Sequence, residues 1–289
     1  MSRFVAVGLD GSGESLAAAH WAAGEALMRG VPLRLVHAEA RSTARNLLPH
    51  AGAETRARWA EKLLSDAADE LRDSHPGLDV TTESRDEPPS KALPSVADSA
   101  DMLVLGSRGH GTLLGFVLGS VGMAVIHATE RPVVLVRAGK NGTELPAVDS
   151  ELVVGVDTGR PCDALLAFAF EEAARRSVRL RALHSWDLPQ SAGYGGAYDP
   201  GLRAQAEKEA QSGLDEMLRP WSATYPEVAV TAQASVGRTA WQLVEAGAGA
   251  GLVVVGRHIR RTAVGTHIGP VTHAVLHHSR APVAVVAHE

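Results

Sequence analysis

Short β-branched apolar runs alternate along this chain with longer Ala- and Leu-rich stretches whose apolar positions recur at helical spacing. The short runs, bounded by turn residues, read as strands, and the longer stretches read as helices. In the first half the pattern predicts strands over Phe4–Leu9, Leu33–Glu39, Asp79–Ser84, Met102–Gly106 and Val133–Arg137. The helices fall between them, over Ser15–Arg29, Glu54–Ser74, Pro89–Ser99 and Ser120–Thr129. Strict alternation of the two predicts right-handed βαβ crossovers and a mostly parallel sheet. The strand positions look apolar on both faces, as expected of a sheet covered by helices on either side.

The whole pattern is written twice. "FVAVGLD" (Phe4–Asp10) matches "LVVGVD" (Leu152–Asp157), and "VPLRLVHA" (Val31–Ala38) matches "VRLRALHS" (Val178–Ser185). Asp10 pairs with Asp157 and His37 with His184, each pair 147 residues apart, and from Val80 onward the spacing becomes 150 without a gap. "MLVLG" (Met102–Gly106) then matches "LVVVG" (Leu252–Gly256), and "ERPVVLV" matches "RAPVAVV". This is a tandem duplication. The polar stretch Ala138–Glu151, with Gly139, Gly142 and Pro146, reads as the linker. The chain therefore divides into domains at 1–138 and 151–289, and 289 residues fit about two domains of roughly 150 residues. Two longer loops, Ala40–Ala53 and Asp187–Gly201, read as surface segments.

Composition changes this picture little. The chain is 45% hydrophobic and 21% charged with a net charge of −5, which points to neither nucleic acid nor an anionic membrane. Its longest apolar runs fall short of a membrane span, and "MSRFVAVGLD" does not read as a secretory leader. The single cysteine, Cys162, cannot form an internal disulfide and has no neighbouring base in sequence, so it reads as structural. These features predict a cytoplasmic protein.

Candidate chemistry gathers at the ends of the first and fourth strands. In a parallel α/β sheet the ligand crevice lies beyond the carboxyl ends of the strands, where strand order reverses. There the first strand delivers "LDGSGES" (Leu9–Ser15), and the fourth delivers "GSRGHGTLLGFVLGS" (Gly106–Ser120), with five glycines. Glycine lets backbone amides approach a ligand closely, and consecutive amides form an anion-binding concavity. The loop then enters a helix at Gly119–Ser120, where Ser120 reads as the N-cap and the helix start offers free N–H groups. A strand end, a Gly-rich turn and a capped helix together make a phosphate site.

Gly106, Gly109, Gly119 and Ser120 fit G-x2-G-x9-G-[ST]. With "VGLDGS" (Val7–Ser12), "VHA" (Val36–Ala38) and "RPVVLV" (Arg131–Val136), this resembles the ATP-binding branch of the universal stress protein family over nearly all of both copies. The resemblance implies two tandem doubly wound α/β domains, each a five-stranded, mostly parallel sheet of order 3-2-1-4-5 with helices on both faces. It implies ATP as ligand, possible Mg2+, and a stress or regulatory role. Gly8 and Asp10 match the end of the first strand that lies near ribose and phosphates, with Asp10 able to help hold the metal. Ala38 matches the position whose backbone reads adenine, and Gly106, Gly109, Gly119, Ser120 and Val121 match the phosphate and ribose motif. The reading of Asp10 from its residues alone also includes a turn-forming Asp before Gly11. The resemblance further implies that last strands pair units together, so the two copies are expected to pack on each other, and the sequence leaves monomer and homodimer both open.

The second copy departs from the motif. Gly256 and Gly269 stand where Gly106 and Gly119 stand, and Asp157 repeats Asp10, but Ile259 replaces Gly109 and Pro270 replaces Ser120. Proline suits the first turn of a helix, so the fold is expected to survive, yet it removes an N–H and a hydroxyl. Each lost donor is worth about 1.5–3 kcal/mol to a charged ligand. The expectation is a nucleotide site in the first copy and a weak, altered or empty one at Asp157, Gly256 and Gly269. Arg257, His258, Arg260 and Arg261 read as a solvated loop, and His273, His277 and His278 as structural or surface residues. No paired acid and base and no Ser-His-Asp set is evident, so the chain reads as a nucleotide-binding regulator rather than a dedicated enzyme. A slow ATP hydrolase and a ligand-free scaffold are the alternatives.

Overall fold

The computed structural model describes residues 3–40, 51–107, 119–138, 150–186, 200–259 and 268–289. The chain forms two compact units, Met1–Leu145 and Pro146–Glu289. The first contains β1 (Val5–Gly8), α1 (Gly13–Arg29), β2 (Leu33–Ala38), α2 (Ala51–Ser74), β3 (Val80–Arg85), α3 (Pro89–Ala97), β4 (Met102–Gly106), α4 (Ser120–Ala128) and β5 (Val133–Val136). The second contains β6 (Leu152–Gly155), α5 (Asp163–Arg176), β7 (Leu180–Trp186), α6 (Pro200–Thr224), β8 (Val230–Val236), α7 (Thr239–Ala246), β9 (Leu252–His258), α8 (Pro270–His278) and β10 (Val283–His288).

Within the first unit the strands run in the order β3-β2-β1-β4-β5, and within the second β8-β7-β6-β9-β10, every pairing parallel. The order 3-2-1-4-5 is thus present twice. Right-handed crossovers to either side of β1 put α1 and α2 on one face and α3 and α4 on the other. The direction of travel reverses between β1 and β4, and a crevice opens there at their carboxyl ends.

The strand cores are nearly closed to solvent: Val5, Ala6, Val7, Leu103 and Val104 expose nothing. The expectation that all strands are apolar on both faces fails at β3 (VTTESR) and β8 (VTAQASV), where polar residues alternate with partly buried ones. These strands pair on one side only within their units, and polar or charged side chains are how natural sheets blunt such an edge.

Helix α1 shows how sequence sets an element's ends. Ser12 is its N-cap, its Oγ accepting from the Ser15 N–H at 3.2 Å, and Gly30 closes it in the left-handed region at φ 63°. An Ala-rich face lets the helix lie close to the sheet. At its foot Glu25, fully buried, accepts from Arg29 Nε at 2.5 Å. The second unit repeats this with Glu172, 1% exposed, which accepts from Arg175 at 2.6 Å and Arg176 at 3.3 Å. Loss of either buried carboxylate is expected to destabilise its unit. Among the described residues no helix is long and apolar enough to cross a membrane.

Candidate functional site

A cavity of about 300 Å³ opens at the carboxyl ends of β1, β2 and β4 in the first unit. Its walls include Gly8, Asp10, Ala38, Gly106, Gly119, Ser120 and Val121. Every described residue assigned to the first site from sequence therefore lies on this one surface. Gly109, with Arg108 and His110, falls outside the described residues. So do most of the linker and most of the two long loops.

Each wall has a local cause. Gly8 ends β1 on the face of α3, and a Cβ there would stand 2.7 Å from Leu105 Cδ2, so a larger residue would require that leucine to move. Gly106 ends β4 on the opposite face, where a Cβ would stand 2.7–2.9 Å from the Glu14–Ser15 backbone. Its bare Cα lets the first turn of α1 close over the rim. β2 runs two residues beyond its last pairing with β1, Gly8↔Val36, so Ala38 faces the crevice on that side. His37, on the other face, fixes this strand end: its Nδ1 donates to the Leu9 carbonyl at 2.8 Å. His184 repeats the bond to Val156 at 3.0 Å.

The phosphate side differs in detail from the sequence expectation. Gly119, not Ser120, is the N-cap of α4, with φ −63° and ψ 146°, and no side chain caps the helix. The Gly119 carbonyl already accepts from the Met123 N–H at 3.2 Å, which places Ser120 at the first helical position. The physical reason is that an extended cap needs no side chain here. Ser120 is exposed, and the N–H groups of the first turn have no intrahelical acceptor. These groups and the positive end of the helix dipole face the cavity mouth.

Asp10 forms the turn that its residue type predicts, and it also lines the cavity. Its Oδ1 accepts from the Ser12 N–H at 2.9 Å and the Ser12 Oγ–H at 2.5 Å, which folds the turn into α1 while the residue lines the cavity. Gly11 follows at φ 81°. Leu9, Ser15, Val36, Pro89, Leu93, Leu105 and Gly122 complete the described wall and were given no site role from the sequence. Ser15, Leu9 and Gly122 adjoin motif residues and were within reach of that reading. Pro89 and Leu93 come from α3, which carries no motif, and only the fold brings them in.

The rim of the second unit is built differently. Asp157 is exposed, accepts from the Gly159 N–H at 3.1 Å and lies 3.6 Å from Arg160 Nε. Helix α5 begins at Asp163, three positions later than α1 does by alignment, and its N-cap, Cys162, makes no capping bond. The His288 ring occupies the space over Gly256 that the α1 backbone occupies over Gly106, its Cδ2 2.7 Å from where a Cβ would stand. His288 Nδ1 also lies 3.1 Å from the Pro161 carbonyl. β9 and β10 stay paired two residues past Gly256, through His258↔His288. Arg257, read as part of a solvated loop, is therefore a strand residue, 3% exposed, because the ladder continues where the first unit turns away. Arg260 and Arg261 lie outside the described residues. Pro270 starts α8 directly after Gly269, so the helix forms without the serine.

Two further titratable sites are distinct from the rim. The His273 and His277 rings lie 4.3 Å apart, and burial, then His277 and His278, holds the His273 pKa below its ordinary value. No group of three or more metal-ligating side chains is present among the described residues. The Cys162 thiol is buried against Met217 Sδ at 3.4 Å. Burial, then Asp163 and Asp157, pushes its pKa up to about 11.

A doubly wound sheet written twice, with a glycine-walled crevice at one switch point, defines a tandem α/β protein. The sequence model of the universal stress protein family matches residues 1–137 and 150–287, and the chain belongs to that family. It is 35% identical to universal stress protein Rv2005c of Mycobacterium tuberculosis over 97% of this chain and 96% of that one. It is also 35% identical to a universal stress protein of Mycolicibacterium smegmatis, over 98% and 96%. A universal stress protein from Archaeoglobus fulgidus shares the fold over the full length of both chains, at 16% identity and a TM-score of 0.72.

Proposed function

We propose that the first repeat binds an adenine nucleotide, ATP, and that the protein acts as a nucleotide-responsive regulator. The observation that carries this reading is the convergence of Gly8, Asp10, Ala38, Gly106, Gly119, Ser120 and Val121 on one cavity of about 300 Å³. The free N–H groups of α4 and the Ser120 hydroxyl suit a polyphosphate. Ala38, past the end of its pairing with β1, suits the edge of a base. Apolar Val36, Pro89 and Leu93 suit its faces. Among the described wall residues Asp10 is the one carboxylate, which fits a magnesium ion held mainly by the phosphates and once by protein.

The binder reading rests on the sequence, which shows no paired acid and base at a shared site, and a slow hydrolase is the alternative. A cytoplasmic location and self-association through the last strands belong to the same proposal, and sedimentation reads the latter directly.

Gly119→Ile is the test. Gly119 has an extended backbone, and nothing lies within 4 Å of where its Cβ would stand. The variant folds and blocks the phosphate end, so ATP affinity by calorimetry is expected to fall at least about tenfold, a loss of roughly 1.4 kcal/mol. Unchanged affinity in a folded Gly119→Ile protein defeats the proposal. Phosphate release under excess ATP, compared with Asp10→Ala, separates binder from hydrolase, and mass spectrometry of the purified protein separates either from a ligand-free scaffold.

A further inference from the structure

We infer that the second repeat is sealed against a nucleotide by its own side chains, and that Gln242 and Thr272, acting with Pro270, set this difference between the repeats. The inference rests on the reading that the first crevice takes a nucleotide.

At the base end, the first repeat has Ala38 on β2, Arg85 on β3 and Ala92 on α3. The second has Ser185, Ser235 and Gln242 at the aligned places. The Gln242 amide spans from α7 to both strand ends. Ser185 Oγ donates to its Oε1 in a short bond, Ser235 Oγ donates to the same oxygen at 2.7 Å, and its Nε2 donates to the Val236 carbonyl at 3.1 Å. The carboxyl ends of β7 and β8 are thereby tied to α7, beside the place that Ala38 leaves open in the first repeat. Entry of a base would require Gln242 to swing away and leave two hydroxyls and a carbonyl without these partners.

At the phosphate end, Gly122 lines the first cavity and has no side chain. Thr272 stands at the aligned place, 5% exposed, its Oγ1 donating to the Gly256 carbonyl at 2.7 Å. The methyl and hydroxyl of Thr272 thus stand between α8 and the end of β9, and Pro270, two residues earlier, has no N–H to offer. The second repeat does have a groove, of about 430 Å³, lined by Arg181, Leu183, Gln233 and Glu245 together with Ser235 and Gln242, so the tied amide stands in its wall. None of the rim positions Asp157, Gly256, Gly269 or Pro270 belongs to its wall.

The test uses the full-length chain and counts ATP bound per chain by equilibrium dialysis. The wild type is expected to bind one. Pro270→Ser alone is expected to stay at one, because both seals remain, and the triple variant Gln242→Ala, Pro270→Ser, Thr272→Gly is expected to bind two. Two per wild-type chain, or a folded triple variant that stays at one, overturns the inference. Gly122→Thr in the first repeat is the reciprocal arm, needed if the triple variant does not fold: affinity there is expected to fall at least tenfold, and an unchanged value overturns the inference. If the wild type binds none and the triple variant binds one, the reading of the first crevice fails and the seal stands. If neither binds, both fail.

Discussion

At the level of single residues, the thiol of Cys162 shows how a helix start can lose its usual effect. A helix N-terminus ordinarily lowers a thiol pKa. Here burial against Met217, and then Asp163 and Asp157, outweighs the dipole and pushes the value up to about 11. Two consequences follow from that sign. In the folded protein at neutral pH the thiolate fraction is about a hundredfold below that of an ordinary thiol, so iodoacetamide is expected to label Cys162 only on unfolding. Because the unfolded chain loses this proton from about pH 9 and the folded chain only near 11, stability contributed here falls as pH rises through that window. Labelling of the native protein at the free-thiol rate would contradict the burial described. The sequence reads Cys162 as structural, and the structure buries its thiol.

At the level of elements, helices α4 and α8 are a natural comparison, equal in length and both capped by an extended glycine, Gly119 or Gly269. They differ at the first helical position, Ser120 against Pro270. The presence of α8 shows that proline there costs the fold little. Ser120→Pro is therefore expected to leave the melting temperature of the first unit near the wild-type value while removing an N–H and a hydroxyl from its crevice. With each donor worth about 1.5–3 kcal/mol to a charged group, ATP affinity is expected to drop by about a hundredfold or more. Calorimetry beside a thermal melt reads both numbers. A variant that binds ATP normally would remove α4 from the site. The helix spans, the strand spans and the start of α4 were legible from periodicity to within a few residues. The edge character of β3 and the added length of β9 and β10 were not, because both depend on which neighbours a strand finds.

At the level of the whole molecule, two units of the same design sit in one chain with different crevices. Ligand that binds only one of them stabilises only that one, by about 2.7 kcal/mol at a hundred times the dissociation constant. Hydrogen exchange with saturating ATP is expected to slow at β1, β4 and the first turn of α4, and to stay unchanged at β6, β9 and α8. Equal protection of both sets would contradict the asymmetry. The net charge of −5 repels a free nucleotide at long range, so the helix terminus and the glycine-lined backbone carry the attraction locally.

The sequence by itself determined the duplication, the alternation of strands and helices, and the residues of the first crevice, because each is written in local spacing or in backbone chemistry that glycine, serine and proline enforce wherever they stand. Only the tertiary structure decided what meets those residues across the fold. It brought Pro89 and Leu93 from α3 to the crevice wall, made Gly119 the cap in place of Ser120, carried Arg257 into a strand, and set Gln242 and Thr272 across the second switch point. These are contacts between positions far apart in the chain. Their physical cause is packing and hydrogen bonding between neighbours that no periodicity names.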